Sequence, residues 1–218
     1  VFLARDRSRW KKTILIIDHY VPHYDKDAGS RTVYQYIKLF VNQGFNVKFI
    51  GDNFYRHEPY TSELSGMGVE ILYGVYYANN WKQWIKENGD HIDYVLLNRT
   101  HISVKYIDYV KAYTRAKVFY YGHDLHFLRE LREYDLTGDR NLLKSSESWA
   151  IKEMQLISQA DCAYYPSQIE VDEVLKRDPN ACIKAIPAYL FDNVEEVDRD
   201  FEKRKEISFV GGFGHRPN

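Results

Sequence analysis

The chain has 218 residues, 44% of them hydrophobic and 28% charged, with 30 Lys and Arg against 31 Asp and Glu. That length suits one open α/β domain plus a fragment, and the composition excludes a disordered or fibrous class. A net charge of -1 leaves no single-sign field to draw nucleic acid.

Apolar runs such as 14–17 and 94–97 fall far short of the ~20 residues of a spanning helix. Residues 1–12 carry Arg5, Asp6, Arg7 and Arg9 where a secretory signal would be apolar. With no Met at position 1, the chain is expected to be a cut or processed piece. Cys162 and Cys182 each fall in a segment that reads as a buried strand, which points to a reducing cytoplasm and not to a disulfide scaffold.

Thr13 to Asp18 is apolar on both faces, as a central parallel strand requires. The spacing of Val33, Tyr36, Ile37, Phe40 and Val41 predicts a helix over 32–41, stopped at Gly44, and 46–50 reads as the second strand. A strand over 69–72 and a helix carrying Trp81, Trp84 and Ile85 follow, ending near Gly89. Next come a strand over 93–97, a helix over 104–113 and a strand over 117–121. A helix from Leu125 breaks at Thr137-Gly138, and a long helix over 142–158 succeeds it. Strands over 161–165 and 182–186 flank a helix over 167–176. This rhythm predicts a Rossmann-like α/β domain over 1–191, an open parallel sheet with helices on both faces. Residues 192–206 read as a charged linker, and 207–218 as the first strand and glycine loop of a second, truncated domain.

Two constellations carry the chemistry. The turn from Asp18 to Arg31 holds Gly29 and Ser30 at a helix start, where backbone N–H groups favour an anion such as phosphate; equally, Gly29 permits a turn and Ser30 caps the helix. One glycine falls short of the dinucleotide fingerprint, so a tightly held NAD is disfavoured. Gly122-His123-Asp124 ends the fifth strand, where open α/β sheets bind ligands. His123 suits a hydrogen bond to a sugar hydroxyl or phosphate, or acid–base work; the structural alternative is a histidine that only packs. Asn98 and Arg99 hold the matching place after the fourth strand, and Arg99 suits a phosphate or carboxylate, or an ordinary surface ion pair. His19, His23, Asp25 and Asp27 lack the spacing of a ligand set, so no metal is expected.

Three separated segments together resemble the GT-B glycosyltransferases of family 4, also called group 1. Residues 14–52 are similar to the family opening, with Gly29, the helix from Val33, Gly44-Phe45 and the strand over 47–50. Ala160 to Ser167 and Ala185-Ile186-Pro187 resemble later family segments, and Phe209 to Asn218 resembles the first strand and glycine loop of the C-terminal domain. The resemblance implies an enzyme that moves a sugar from a nucleotide-sugar to a glycan or lipid-linked acceptor, with retention and without metal or other cofactor. A lipid-linked acceptor would bring peripheral membrane association to a cytoplasmic enzyme.

By the same resemblance, His123 matches the histidine that reaches the transferred sugar. Gly29 and Ser30 match the loop near the donor diphosphate or the acceptor, and Gly212 and Gly214 lie in the glycine loop that resembles the donor side. Arg31, beside that loop, and Asn98, Arg99 and Asp124, at strand ends, are expected on the substrate side by position. The loop departs from the family in having Ala28-Gly29 where many relatives carry Gly-Gly. A chain ending at Asn218 is expected to be inactive alone. The alternatives are a non-catalytic carbohydrate-binding or scaffold module of a polysaccharide-synthesis complex, and a nucleotide-sugar epimerase of the same fold.

Overall fold

The computed structural model describes residues 10–190 and 200–208. Seven strands form one sheet: β1 (Thr13–Asp18), β2 (Asn46–Gly51), β3 (Glu70–Ile71), β4 (Tyr94–Asn98), β5 (Lys117–Tyr121), β6 (Cys162–Tyr165) and β7 (Ile183–Ala185). Their order is β3-β2-β1-β4-β5-β6-β7, and every pairing is parallel. The helices are α1 (Ala28–Asn42), α2 (Tyr60–Gly66), α3 (Val75–Asn88), α4 (Thr100–Tyr113), α5 (His126–Thr137), α6 (Arg140–Gln159) and α7 (Gln168–Arg177).

Strand alternation divides the core between the two faces of the sheet. In β1, Ile14 and Ile16 pack with Val33 and Ile37 of α1 and Leu64 of α2. Leu15 and Ile17 look the other way, toward Ile85 of α3, Ile102 and Tyr106 of α4, Leu156 of α6 and Val171 of α7. The open doubly covered sheet expected from the sequence is therefore the observed architecture. The α1 side of the sheet is unevenly covered over β4 to β6: Tyr36, Phe40, Phe45, Tyr94, Phe119 and Tyr164 line an open apolar groove of about 330 Å³.

β1 and β5 match the sequence reading residue for residue. Helices α1 and α6 begin earlier than expected, at Ala28 and Arg140, because polar caps open them, while α7 begins one residue late, after its own cap. Asp27 caps α1 by accepting from the N–H of Ser30, Asp139 caps α6 and Ser167 caps α7, each satisfying a donor that the first turn leaves free. Gly138 stops α5 in the left-handed conformation at φ 71, where a Cβ would be strained. The strand expected over 69–72 shrinks to Glu70–Ile71, and α2 was not anticipated at all.

Two expectations need correction. Cys162 is buried as expected, but Cys182 is exposed, because it precedes the short edge strand β7. Residues 207 and 208 show no strand, and Ile207 is fully exposed instead of buried. Within the expected linker, Phe201–Lys203 make a single 3-10 turn. The remainder of the linker and the glycine loop, with Gly212 and Gly214, lie outside the described residues.

Candidate functional site

β1 has β2 on one side and β4 on the other, so the chain reverses its winding direction between β1 and β4. A crevice opens at such a switch point, outside the carboxyl ends of the strands. Asp18 ends β1, Asn98 ends β4 and Tyr121 ends β5. Whatever follows those three residues lines the crevice.

Asp18 is completely buried. Its Oδ1 accepts from the backbone N–H of His19 at 2.7 Å and from Nε of Arg99 at 2.8 Å, and it lies 3.0 Å from Nδ1 of His19. Burial alone would raise the carboxyl pKa; the His19 hydrogen bond and the Arg99 charge outweigh it and hold it at about 2. Asp18 is thus a buried carboxylate, and His19, with Nδ1 fixed by it, retains Nε2 for other work.

Arg99 follows β4 at φ 62 and precedes the first turn of α4. A residue with a Cβ is strained at that positive φ by about 1–3 kcal/mol, and such strain collects at functional sites. Its backbone is tied to β5 by an N–H donated to the carbonyl of Tyr121 at 3.1 Å. Its guanidinium runs over the start of α1: a methyl group added at Gly29 would sit 2.6 Å from Nη2. The same Nη2 lies 3.8 Å from Oδ1 of Asp27. Asp27 in turn accepts from Ser30 N at 2.7 Å, from Ser30 Oγ at 2.6 Å and from Tyr20 OH at 2.9 Å.

His123 is the second residue of the crevice with left-handed backbone, at φ 63. Burial pushes its pKa down to about 3; the negative charge of Asp18 opposes that shift and the positive charge of Arg99 adds to it. The imidazole is neutral at any ordinary pH. Gly122 before it is held where any side chain would strike the Tyr165 ring, at 2.2 Å, and its N–H donates to the carbonyl of Tyr164. Behind the turn, fully buried Glu153 accepts from the N–H of His126 at 2.8 Å and of Phe127 at 3.2 Å, and so caps α5 from α6.

Three side-chain atoms here are buried without a hydrogen-bond partner among the described residues: Oδ2 of Asp18, Nη2 of Arg99 and Nε2 of His123. Each such atom costs about 1–3 kcal/mol. They come from the ends of three adjacent strands.

The residues anticipated from the sequence divide into two groups. Arg99 lies against Gly29, and His123 sits at the next strand end, packed on the Tyr121 ring and within reach of the Asp18 and Arg99 charges. Ser30 is buried and donates to Asp27, so Asp27 and not Ser30 is the helix cap. Arg31 points outward toward the Tyr189 ring, 5.8 Å away. Asn98 is buried with its amide donating to the carbonyl of Ile17 at 3.1 Å, which stitches β4 to β1. Asp124 pairs with Arg129 on a neighbouring cleft of about 490 Å³ that Arg132, Leu136, Ser167 and Glu170 also line. Asp18, Asp27, His19 and Glu153 escaped the sequence reading as site residues. The available signal was Asp18, a charge closing an otherwise apolar strand.

No group of three or more His, Cys, Asp or Glu among the described residues is placed to hold a metal ion, and no described helix is long and apolar enough to cross a membrane. No protein-family model and no curated protein sequence matches the chain. Among solved structures it is similar to UGT2 of Phytolacca americana, solved in complex with UDP-2fluoro-glucose and pterostilbene, with a TM-score of 0.54 at 10% identity. The match covers 85% of this chain and 55% of that one, so this chain spans little more than half of its neighbour's length. At that identity the likeness establishes the fold: an open parallel sheet of the kind that makes one domain of a GT-B protein.

Proposed function

We propose that the chain is the N-terminal, acceptor-side half of a GT-B glycosyltransferase that moves a sugar from a nucleotide-sugar to a glycan or lipid-linked acceptor. The observation that carries this reading is the crevice at the β1/β4 switch point, where Asp18, Arg99 and His123 present unpaired polar atoms on a fold shared with a protein solved with a UDP-sugar analogue. Membership of family 4, retention of anomeric configuration, independence of metal and a cytoplasmic setting belong to the same proposal and rest on the sequence resemblance.

A histidine with a pKa of about 3 is a poor proton carrier near neutrality, where acid–base groups work best with a pKa close to the operating pH. His123 therefore serves as a neutral hydrogen-bonding partner of the sugar. The test is to screen the complete protein against nucleotide-sugars and glycan acceptors, with EDTA present and absent, following transfer and product configuration by mass spectrometry and NMR. Transfer that falls at least tenfold in His123→Ala supports the reading. Isomerised donor without acceptor would assign an epimerase, and sugar binding without turnover a scaffold.

A further inference from the structure

Cys162 opens β6 and Cys182 directly precedes β7, with the whole of α7 between them in sequence. The β6/β7 ladder sets Ala163 against Ile183, so one step back along both parallel strands Cys162 stands opposite Cys182. The backbone carries the ladder that far, because the N–H of Ala163 donates to the carbonyl of Cys182 at 2.8 Å. Ala163, Tyr165 and Ile183 pack with Val171 and Val174 of α7, and strand alternation sends both cysteine side chains to the other face. Paired strands run about 4.8 Å apart, within the Cα separation of about 4.4–6.8 Å that a disulfide spans. The two thiols already meet through a hydrogen bond.

Their access to solvent differs. Cys162 is buried and Cys182 exposed, since β7 is the edge of the sheet. An oxidant in solution reaches Cys182 alone, and the electrophilic sulfur open to Cys162 is one carried by Cys182. Burial, then the hydrogen bond and charge of Cys182, push the Cys162 thiol up to about 11. Capping Cys182 removes both effects of that neighbour, while the positive charge of Lys184, two residues on along the same face, favours the Cys162 thiolate. The first oxidation therefore makes the second easier.

We propose that Cys162 and Cys182 form a reversible thiol–disulfide site, with Cys182 as the attacking thiol, Cys162 as the resolving thiol and a small disulfide such as oxidised glutathione as the oxidant. The Cys182 thiolate attacks one sulfur of glutathione disulfide and releases one glutathione. The Cys162 thiolate then attacks the Cys182 sulfur of the mixed disulfide and releases the second. Two protein thiols give up two protons and two electrons, and glutathione disulfide leaves as two thiols. The site lies at the amino end of the strands, the opposite end from the crevice, and stands whether or not the chain belongs to a glycosyltransferase. Closing it joins β6 covalently to β7, whose continuation is held on α1 by Tyr36 donating to the carbonyl of Pro187 and by Gln35 exchanging two hydrogen bonds with Leu190. A thiol pair of this kind is compatible with a reducing compartment, where disulfides form transiently as redox sensors.

The experiment incubates the reduced, folded 218-residue chain with oxidised glutathione and follows intact mass and peptide maps prepared without reductant. The expected result is loss of two hydrogens with no glutathione retained, a cross-linked peptide joining Cys162 to Cys182, and return of the reduced mass on adding dithiothreitol. Cys162→Ala is expected to stop at one glutathione per chain, on Cys182, and to keep the adduct that the wild type loses. Cys182→Ser, a change at an exposed position, is expected to take up none while folded. Should Cys162→Ala fail to fold, the wild-type product decides alone. Wild-type protein that keeps glutathione on Cys182, that links chain to chain through it, or that stays reduced overturns the proposal.

Discussion

Nε of Arg99 donates to Oδ1 of Asp18 at 2.8 Å across 81 residues of sequence, and the pair joins the carboxyl ends of β4 and β1. Because Asp18 is fully buried, removing the guanidinium leaves a carboxylate without its compensating charge. Arg99→Ala is expected to destabilise the fold by about 3 kcal/mol, measured by urea unfolding. Combining it with Asp18→Ala should recover part of that loss, and a strictly additive double mutant would show that the two residues are not coupled.

Two glycines of the crevice resist substitution for different reasons. A methyl at Gly29 meets the tip of the flexible Arg99 side chain, whereas one at Gly122 meets the buried Tyr165 ring. Gly29→Ala should change stability by less than about 1 kcal/mol, since alanine favours the helix. Gly122→Ala should cost about 3 kcal/mol through overpacking. Thermal unfolding of the two variants side by side checks the contrast.

The depressed pKa of His123 fixes the direction of an acid response. Its ordinary value is 6.5 and its folded value about 3, so between those values the unfolded chain binds the extra proton. As far as His123 is concerned, stability should be flat above pH 6.5 and fall as the pH drops from 6.5 toward 3. Asp18, lowered from 3.8 to about 2, contributes stability above 3.8 that is lost as the pH falls through 2. Denaturant titrations across this range should show a shallower slope between pH 6.5 and 4 in His123→Gln; an unchanged slope would place the titrating group elsewhere.

Glu153 has no surface exposure, and besides the two amides of α5 it accepts from Nδ1 of His126 at 2.9 Å and from Oγ1 of Thr100 at 3.2 Å. Glu153→Ala strands those donors in the core and should cost about 3–5 kcal/mol. Hydrogen exchange should quicken most at the amides of His126 and Phe127, just past the His123 turn.

The two thiols should separate cleanly under an aromatic disulfide reagent. Cys182 is exposed and should react in the folded chain. Burial, reinforced by a hydrogen bond with Cys182, pushes the Cys162 thiol up to about 11, so it should react with the reagent itself only on unfolding. Two equivalents consumed at equal rates by native protein would contradict the burial of Cys162.

The sequence exposed the sheet more readily than the site. Runs apolar on both faces, such as Thr13–Asp18, leave little choice but a central parallel strand, and residues just past such strands, Arg99 and His123 among them, are crevice residues by position. What that position does with Arg99 depends on β4 lying beside β1, and strand order is not written in spacing. Asp18 consequently looked like the end of a strand, and Glu153 like one polar residue of a helix. The seven residues of α2 carry too short an apolar stripe to register, and the exposure of Cys182 follows from β7 being an edge, another property of order and not of local pattern.

The β1/β4 boundary is also where the two windings of the sheet meet, with β2 and β3 on one side and β4 to β7 on the other. The clasp between Asp18 and Arg99 spans that seam at one end, while Asn98 fastens it from within by bonding to the carbonyl of Ile17. A substitution at either residue of the clasp therefore acts on both windings at once.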